Sequence, residues 1–388
     1  MKSKRLLSVL LTAIMLISVL SGCGGNGGKA PAQEAPVEEA PAEQAAAPEA
    51  SAESAESADT RIIVDSEGRE VEIPAKIERA VCASVGSLRY TCYLGAQDRI
   101  VGVEEYEQKP SIKRLYNYVN REQFSKLPAI GVMDDPDPEA IMSVDAQVII
   151  MGDYIHTADE IQEKTGIPVV YVPFNSDGLT ADSYTALRIL GNVYGLEEKA
   201  EELCGYLKSV EEDFAKRTAD IKEEDKPTVY VGGLSFLGAH GFNGTQPYYD
   251  PFVLVNAHNP MDDTGFQDAL EIDMEQILKW DPDIIFVDYN GLDLINEQYA
   301  NNPDFFNSLT AVKEGRVYSQ ISFRAAAGNL EMAIADAYYA GKVIYPDRFE
   351  DVDIEAKSRE IFTTLLGADP YDDLVENGYE FRQIVLGE

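Results

Sequence analysis

The sequence predicts an α/β fold: two Rossmann-like lobes joined by a single rigid connecting helix, with a ligand cleft between the lobes. Two similar stretches carry this prediction, PEAIMSVDAQVIIMGDY at 138–154 and MEQILKWDPDIIFVDY at 274–289. Each has the pattern of a short amphipathic helix, an Asp-bearing turn and an apolar run without polar alternation. Such a run is typical of a strand buried on both faces of a parallel sheet. Two such units therefore predict two lobes of similar plan, with a cleft outside the carboxyl ends of their strands.

The two stretches agree in register and not only in type. When Glu139 is aligned with Glu275, Asp145 falls on Asp281 and the apolar runs coincide without a gap. Helix–turn–strand units also recur by chance in α/β proteins, and that is the alternative interpretation. The shared Glu and Asp favour two related units.

The other elements alternate as a parallel sheet requires. The folded body, residues 61–388, begins with a predicted hairpin whose strands are 61–65 and 69–73. The further predicted strands are 80–84, 99–103, 129–132, 169–172, 228–233, 251–257 and 316–321. The further predicted helices are 87–94, 158–164, 330–344 and 353–366, and residues 104–126 are predicted to form a polar loop.

A long helical segment separates the two sets of strands. Residues 180–222 have helical periodicity with a break at Gly195, and two apolar stripes run along them. A helical segment at the midpoint can serve as a stiff connector. We therefore expect an N-terminal lobe at 61–179 and a C-terminal lobe at 223–388.

The chain begins with an export signal at 1–22. Lys2, Lys4 and Arg5 precede an apolar segment at 6–20 that is short for a membrane span. The sequence Leu-Ser-Gly-Cys at 20–23 resembles a bacterial lipobox, which predicts cleavage before Cys23 and acylation of that residue. A lone Cys after an apolar segment could also be incidental. Acylation would anchor the protein outside the cytoplasm, at about 0.8 kcal/mol per buried CH₂.

Residues 23–60 are predicted to be the lipidated Cys and a disordered acidic tether. The tether is rich in Ala, Glu, Pro, Ser and Gly and contains no aromatic residue. Such a composition buries too little apolar surface to offset the entropy of ordering the chain. We expect it to hold the folded body away from the membrane surface.

Composition excludes several classes of function. The formal net charge of −36 argues against nucleic-acid binding, although it leaves room for a locally basic pocket. Beyond Cys23 the chain has three cysteines, at 82, 92 and 204, and no CxxC motif. This argues against a disulfide framework and against a thiolate metal site.

In the order of its motifs along the chain, the body resembles the substrate-binding proteins of ABC importers that carry iron–siderophore, haem or cobalamin complexes. The resemblance rests on Asp65, Gly68-Arg69 and Pro74 around the leading hairpin, on YLGA at 93–96 and DRIVGV at 98–103, and on the two repeated units. The first unit departs from the family pattern, with Ala-Gln at 146–147 where the second has Pro-Asp. The resemblance implies a monomeric, lipid-anchored protein that captures a chelated iron complex and delivers it to a membrane permease. It also implies that Glu139 and Glu275, one on each lobe, dock into the permease.

Candidate ligand contacts follow predicted strand ends on both lobes. Arg89 and Arg324 could clamp a carboxylate- or phosphate-bearing complex, since a guanidinium pairs with such groups through two hydrogen bonds. Each Arg could equally form a surface ion pair, and each aromatic residue could belong to the core or rim. The predicted ligand-binding residues are Arg89, Tyr90, Tyr154, Phe236, His240, Tyr289 and Arg324.

Four alternatives to an iron complex are weighed at the level of sequence. An oxyanion such as molybdate or tungstate would also use Arg and helix N-termini, and cobalamin is within the range of the resembled family. A bare metal ion could use His156, His240 and His258 with a carboxylate, but these are scattered and we expect no metal site or cofactor. An enzyme is disfavoured because the segment GLSFLG at 233–238 is one residue too long for a nucleophile elbow.

Overall fold

The computed structural model describes residues 59–387. The predicted signal segment at 1–22, Cys23 and nearly all of the predicted tether lie outside the described residues. Within 59–387, no helix combines the length and the apolar composition needed to cross a membrane.

The strands are numbered in chain order. They are β1 (Thr60–Val64), β2 (Glu70–Pro74), β3 (Ala80–Cys82), β4 (Ile100–Gly102), β5 (Gly131–Val132), β6 (Asp135–Pro136), β7 (Val148–Gly152), β8 (Val169–Val172), β9 (Val229–Gly232), β10 (Gly244–Thr245), β11 (Leu270–Glu271), β12 (Ile284–Asp288) and β13 (Val317–Gln320).

The helices are numbered in the same way. They are α1 (Ser87–Tyr93), α2 (Leu115–Val119), α3 (Arg121–Phe124), α4 (Pro138–Ser143), α5 (Ala158–Thr165), α6 (Ala181–Tyr194), α7 (Glu197–Thr218), α8 (Asp250–Leu254), α9 (Met274–Trp280), α10 (Leu292–Asn301), α11 (Pro303–Ser308), α12 (Thr310–Lys313), α13 (Leu330–Ile344), α14 (Ile354–Leu366) and α15 (Tyr371–Glu376).

Each lobe is built on a parallel sheet, as the sequence predicts. The N-terminal sheet has the order β4-β3-β7-β8 and the C-terminal sheet the order β13-β12-β9. Every strand of both sheets pairs in parallel with its neighbour. The strands β7, β8, β9 and β12 are buried along their whole length, which explains their continuous apolar sequences. The prediction of two α/β lobes is confirmed.

The two repeated sequences fold into equivalent units. In both, a short helix (α4 or α9) leads through an Asp in the left-handed conformation into a central strand (β7 or β12). The φ angle is 53° at Asp145 and 40° at Asp281, which explains why the repeat keeps Asp, a residue that tolerates this conformation. Ile141 and Ile277 are both fully buried and anchor their helices to the sheets.

A helical hairpin separates the lobes, and its second helix is the connector. Gly195, with φ 62°, ends α6 in the left-handed conformation, so the predicted break is confirmed. Helix α7 has 22 residues, about 33 Å at 1.5 Å per residue. Its first residue lies beside the N-terminal hairpin, where Glu197 faces Arg61 at 3.8 Å. Near its end Arg217 pairs with Asp351 of the C-terminal lobe at 2.6 Å.

Two local predictions are wrong. Residues 251–257, predicted as a strand, contain most of the helix α8, because Pro251 lies in the first helical turn, where its fixed φ suits a helix. A short apolar run such as this one does not reveal its type by periodicity. The predicted polar loop at 104–126 contains the helices α2 and α3, which have only five and four residues and are too short to show a helical period.

Polar contacts join the two lobes where α1 meets α13. The Arg89 Nε donates a hydrogen bond to the Asn329 side-chain oxygen at 3.1 Å. The Tyr93 hydroxyl donates to the buried Glu331 carboxylate and accepts from the Leu330 backbone N–H at 3.1 Å. We call this set of contacts the lobe seam. Because these side chains are buried, the seam is part of the core.

Gly328 lies at the lobe seam, and its replacement by alanine tests how tightly the lobes are packed. An added Cβ would lie 1.7 Å from the Asp177 carbonyl oxygen, which is backbone, so one lobe must shift. We expect Gly328→Ala to lower the free energy of unfolding by about 1–3 kcal/mol or more. The matched control is Gly205→Ala in α7, which has nothing within 4 Å and should raise it by about 0.5–1 kcal/mol. Urea unfolding of the two proteins measures both values, and equal stability would contradict this packing.

Candidate functional site

A cleft of about 950 Å³ lies between the lobes, at the carboxyl ends of strands from both sheets. Its walls come from the loops after β3, β8, β9 and β13, together with the β5–β6 turn and the segments that flank β10 and precede β11. This is where parallel sheets place ligands, and the predicted position of the cleft is confirmed. The lining residues are Val85, Met133, Asp134, Phe174, Ser176, Asp177, Ser235, Phe236, Leu237, Gly238, Gln246, Pro247, Tyr248, Gln267, Asp268, Ala269, Arg324, Ala326 and Ala327.

Arg324 alone among the described lining residues carries a positive charge. Its guanidinium pairs with the Asp177 carboxylate of the opposite lobe, and its side chain is 12% exposed. The Arg324 Nε is buried and has no hydrogen-bond partner within the described residues. Arg324 therefore has at least one donor that no described residue uses, and it would gain others if Asp177 moved away.

Three carboxylates line the same cleft. Asp134, Asp177 and Asp268 give the lining a formal charge of −2 when Arg324 is counted. Asp134 already accepts hydrogen bonds from the Val85 backbone N–H at 2.9 Å and from the Tyr154 hydroxyl. The cleft is thus better suited to a ligand with donor groups or an apolar body than to a small free anion.

Apolar and aromatic side chains provide much of the cleft wall. Leu237 is fully exposed at the tip of its loop, Tyr248 is 50% exposed and Met133 is 49% exposed. Phe174 packs on Tyr154 with ring centroids 4.3 Å apart. Apolar groups so exposed are typical of surfaces that bind a ligand or partner.

Left-handed backbone conformations concentrate at the cleft. Five of the eight described non-glycine residues with positive φ line it: Asp134, Leu237, Tyr248, Ala326 and Ala327, with φ between 50° and 67°. For residues such as these the left-handed conformation is uncommon. Such strain is often found at binding sites, where the surrounding structure holds it in place.

Arg89 and Tyr90 do not line the cleft. Arg89 is fully buried, stacks on the Tyr116 ring at 4.8 Å and donates to the Ala325 and Ala326 carbonyls. Its Nη1 has no partner within the described residues and lies 3.7 Å from the position that a Cβ on Gly86 would take. Tyr90 is 2% exposed in the core. The periodicity of a sequence does not distinguish a buried Arg from one that binds a ligand. The sequence therefore predicts cleft contacts for two residues that are buried in the core.

The remaining predicted contacts divide into two groups. Phe236 lines the cleft, and Tyr154 lies behind it against Phe174 and Asp134. His240 stacks on Phe236 at 3.7 Å, while its ring nitrogens contact Glu271 at 3.0 Å and the Phe236 carbonyl at 2.8 Å.

Tyr289 lies outside this group. Its hydroxyl donates to the Glu380 carbonyl at 2.7 Å and its ring packs on Tyr379. The structure thus brings together Phe236, Tyr154 and Arg324 around the cleft, supports Phe236 with His240, and places Tyr289 elsewhere.

The three histidines lie in three different places. His156 faces Glu67 at 3.3 Å, His240 faces Glu271, and His258 faces Asp263 at 3.3 Å. Within residues 59–387, no group of three or more His, Cys, Asp or Glu side chains could hold a metal ion.

Buried carboxyl groups surround the base of the cleft. Burial raises the pKa of Glu104 to about 8, and that of Asp250 to about 7. It also raises the pKa of Asp288 to about 6. Burial, followed by the hydrogen bond to the Asp134 carboxylate, raises the pKa of Tyr154. Glu104 and, in part, Asp250 are therefore uncharged at neutral pH, and the formal count of acids overstates the negative charge behind the cleft.

Glu139 and Glu275 occupy equivalent exposed positions, one on each lobe. Each lies in the first turn of its helix, α4 or α9. The backbone N–H of each donates at 2.9 Å to an Asp two residues earlier, Asp137 or Asp273, which caps the helix. These caps explain the start of each helix without using either Glu side chain. The two Glu carboxylates are free to face a partner.

Comparison with known proteins agrees with this architecture. The chain is 23% identical to the molybdate-binding protein MolA of Haemophilus influenzae, over 76% of this chain and 88% of that relative. It is 25% identical to the Fe(3+)-citrate-binding protein YfmC of Bacillus subtilis, over 81% and 87%. Among solved structures, a periplasmic solute binding protein from Veillonella parvula matches with a TM-score of 0.67 at 22% identity, over 82% of this chain and 96% of that one.

The same fold occurs in the periplasmic haem binding protein HutB of Vibrio cholerae, with a TM-score of 0.53 at 18% identity, over 70% of this chain and all of that one. Residues 81–320, more than half of the chain, match the family described as periplasmic binding protein. They include both sheets, the connecting helix and most of the residues that line the cleft. The chain belongs to the periplasmic binding protein family.

Proposed function

We propose that this protein is a lipid-anchored extracytoplasmic binding protein that captures an iron complex, such as a siderophore or haem-like chelate, and delivers it to an ABC permease. The observation that carries the proposal is the cleft of about 950 Å³ with exposed apolar and aromatic walls. Pockets that bury ligands of drug size have volumes of roughly 300–1,000 Å³. The cleft therefore has room for an organic chelate.

Relatives with different cargoes support the general function more than the identity of the ligand. One is named for Fe(3+)-citrate and another for molybdate. Molybdate remains the second candidate, because Arg324 has an unused buried donor. A single tetrahedral oxyanion would fill only a small part of the cleft, however, and it would face three carboxylates. Cobalamin is a further and bulkier alternative.

Two exposed carboxylates support the delivery step. Glu139 and Glu275 project from equivalent helices on the two lobes, and neither lines the cleft. In our proposal each docks on a basic site of the permease, so the protein presents one carboxylate from each lobe. The lipid on Cys23 and the acidic tether would keep the body close to the membrane that holds the permease.

The cargo can be identified by native mass spectrometry of protein purified from its own host, with metal analysis of whatever co-purifies. We expect one bound complex per chain, containing iron. A co-purifying oxyanion of molybdenum or tungsten would contradict the iron proposal and favour the second candidate. Turnover of ester substrates would contradict a binding function.

Leu237 provides a test of the cleft itself. Because the Leu237 side chain is fully exposed on the cleft wall, Leu237→Ser should leave folding unchanged. A ligand in the cleft would bury this side chain, and such burial contributes about 1.5–3 kcal/mol. The substitution should therefore weaken binding of the co-purifying complex by roughly tenfold or more. The matched control is Leu294→Ser on α10, which is also exposed and lies outside the cleft. Calorimetric titration measures both, and equal affinities would place the ligand elsewhere.

A further inference from the structure

A second, smaller pocket of about 320 Å³ opens beside the cleft and has the opposite charge. It is lined by Tyr106, Lys109, Pro110, Ser111, Lys113, Arg114, Met133, Ala325 and Ala326. We call it the side pocket. It carries a formal charge of +3, and the described residues that line it include no carboxylate. Three cations without a carboxylate among them form an unusual pocket in a chain of net charge −36.

The side pocket adjoins the cleft and spans the two lobes. Met133 and Ala326 line both cavities, so a ligand could occupy the two at once. Lys113 belongs to the N-terminal lobe, and its Nζ donates a hydrogen bond to the Asn290 side-chain oxygen of the C-terminal lobe. The side pocket is therefore part of the interlobe site and not a separate surface hollow.

The loop that carries the two lysines is held in place. The Arg114 Nη2 donates to the Tyr106 and Lys109 carbonyls, both at 2.9 Å, and its guanidinium stacks on the Tyr106 ring at 4.8 Å. The Asn117 side-chain oxygen accepts from the Ser111 backbone N–H at 3.0 Å. Arg114 thus uses its Nη2 donors within the protein and fixes the backbone of Lys109.

Neither lysine of the side pocket forms an ion pair among the described residues. Neither Lys109 nor Lys113 has a carboxylate within 4.0 Å among residues 59–387, whereas Arg114 has Glu107 at that distance. Half of the fourteen lysines in residues 59–387 have a carboxylate within 4.0 Å, as Lys164 has Glu160 at 2.6 Å. In an acidic protein, two adjacent cations without carboxylate partners create a local field that attracts an anion.

We propose that the side pocket binds a carboxylate arm of the chelate whose body occupies the cleft. This inference rests on the proposed function and specifies the class of cargo. The cargo carries its negative charge on one side, towards Lys109 and Lys113, and presents an apolar or donor-bearing side to the acidic cleft. A chelate that is uncharged on all sides would leave both lysines without a carboxylate partner.

The test compares two iron complexes, ferric citrate and an uncharged ferric trihydroxamate. In the variant Lys109→Gln/Lys113→Gln we expect the affinity for ferric citrate to fall about tenfold or more, since each charge-assisted contact corresponds to roughly tenfold. The affinity for the uncharged complex should stay within about twofold. Lys109→Arg/Lys113→Arg keeps the charge and should retain affinity for ferric citrate.

A matched control separates the side pocket from net charge. Lys126→Gln/Lys279→Gln removes the same charge from exposed sites that line neither cavity, and it should bind both complexes like the wild type. Equal losses in the control and the side-pocket variant would overturn the inference. So would a wild type that binds the uncharged complex but not ferric citrate, although the proposed function would then stand. A wild type that binds neither complex would also overturn the inference, and the complex that co-purifies from the host would then decide the proposed function.

Discussion

Replacing Glu139 and Glu275 together with alanine is expected to abolish stimulation of the cognate transporter while leaving ligand affinity unchanged. The two side chains are exposed, project from equivalent helices on opposite lobes and do not line the cleft. Removing them deletes two charges from the proposed docking surface without altering the Asp137 and Asp273 caps. ATP hydrolysis by the permease complex in lipid vesicles, measured with loaded binding protein, reports the effect.

The control replaces two other exposed carboxylates in first helical turns, Glu198 on α7 and Asp293 on α10. Carboxylates at these positions stabilise their helices through the helix dipole by about 0.3–1 kcal/mol, as Glu139 and Glu275 do. Glu198→Ala/Asp293→Ala should therefore match the test variant in stability and retain stimulation. Normal uptake by the Glu139→Ala/Glu275→Ala protein would rule out docking through these residues.

The variant Cys23→Ser is expected to move the protein entirely from the membrane to the soluble fraction once the signal segment is removed. A serine hydroxyl cannot receive the thioether-linked lipid, and each buried CH₂ of the acyl chains contributes about 0.8 kcal/mol to anchoring. Detergent partitioning and the mass of the N-terminal peptide measure the outcome.

Ser21→Ala serves as the control for Cys23→Ser, because it alters the same short motif and keeps the cysteine. It should remain acylated and bound to the membrane. Membrane binding by a processed Cys23→Ser protein would show that another segment provides the anchor. Since Cys23 lies outside the described residues, this test depends on the sequence alone.

The sequence predicts the two lobes well because apolar runs and a repeated motif mark their strands and helices. The apolar strands and the repeated Glu and Asp of the two units are visible in single stretches of the chain, and the structure confirms both. The short helix α8 was predicted as a strand because five residues contain too little periodicity. Asp137 and Asp273 were overlooked as caps although each stands two residues before its Glu, a spacing that could have identified them.

The cleft was harder to predict than the lobes. Which strand-end residue faces the cleft depends on side-chain direction and on loops without periodicity. Arg89 and Arg324 look alike in sequence, yet one is buried at the lobe seam and the other lines the cleft. Leu237, Tyr248 and Lys113 belong to loops and carry no motif. A useful signal was present in Lys109 and Lys113, two closely spaced cations in a strongly acidic chain.

The lobe seam affects how much of the free energy of the ligand's contacts appears as affinity. Tyr93, Glu331 and Arg89 make their contacts between the lobes in the buried core, and none of the three lines the cleft. Because these contacts are made within the protein, we expect a ligand to contribute little free energy to joining the lobes. Such preorganisation leaves more of the ligand's own contacts to determine affinity. We expect release to be faster when an outside agent distorts the cleft, and a permease docked on both lobes, as we propose, could do so.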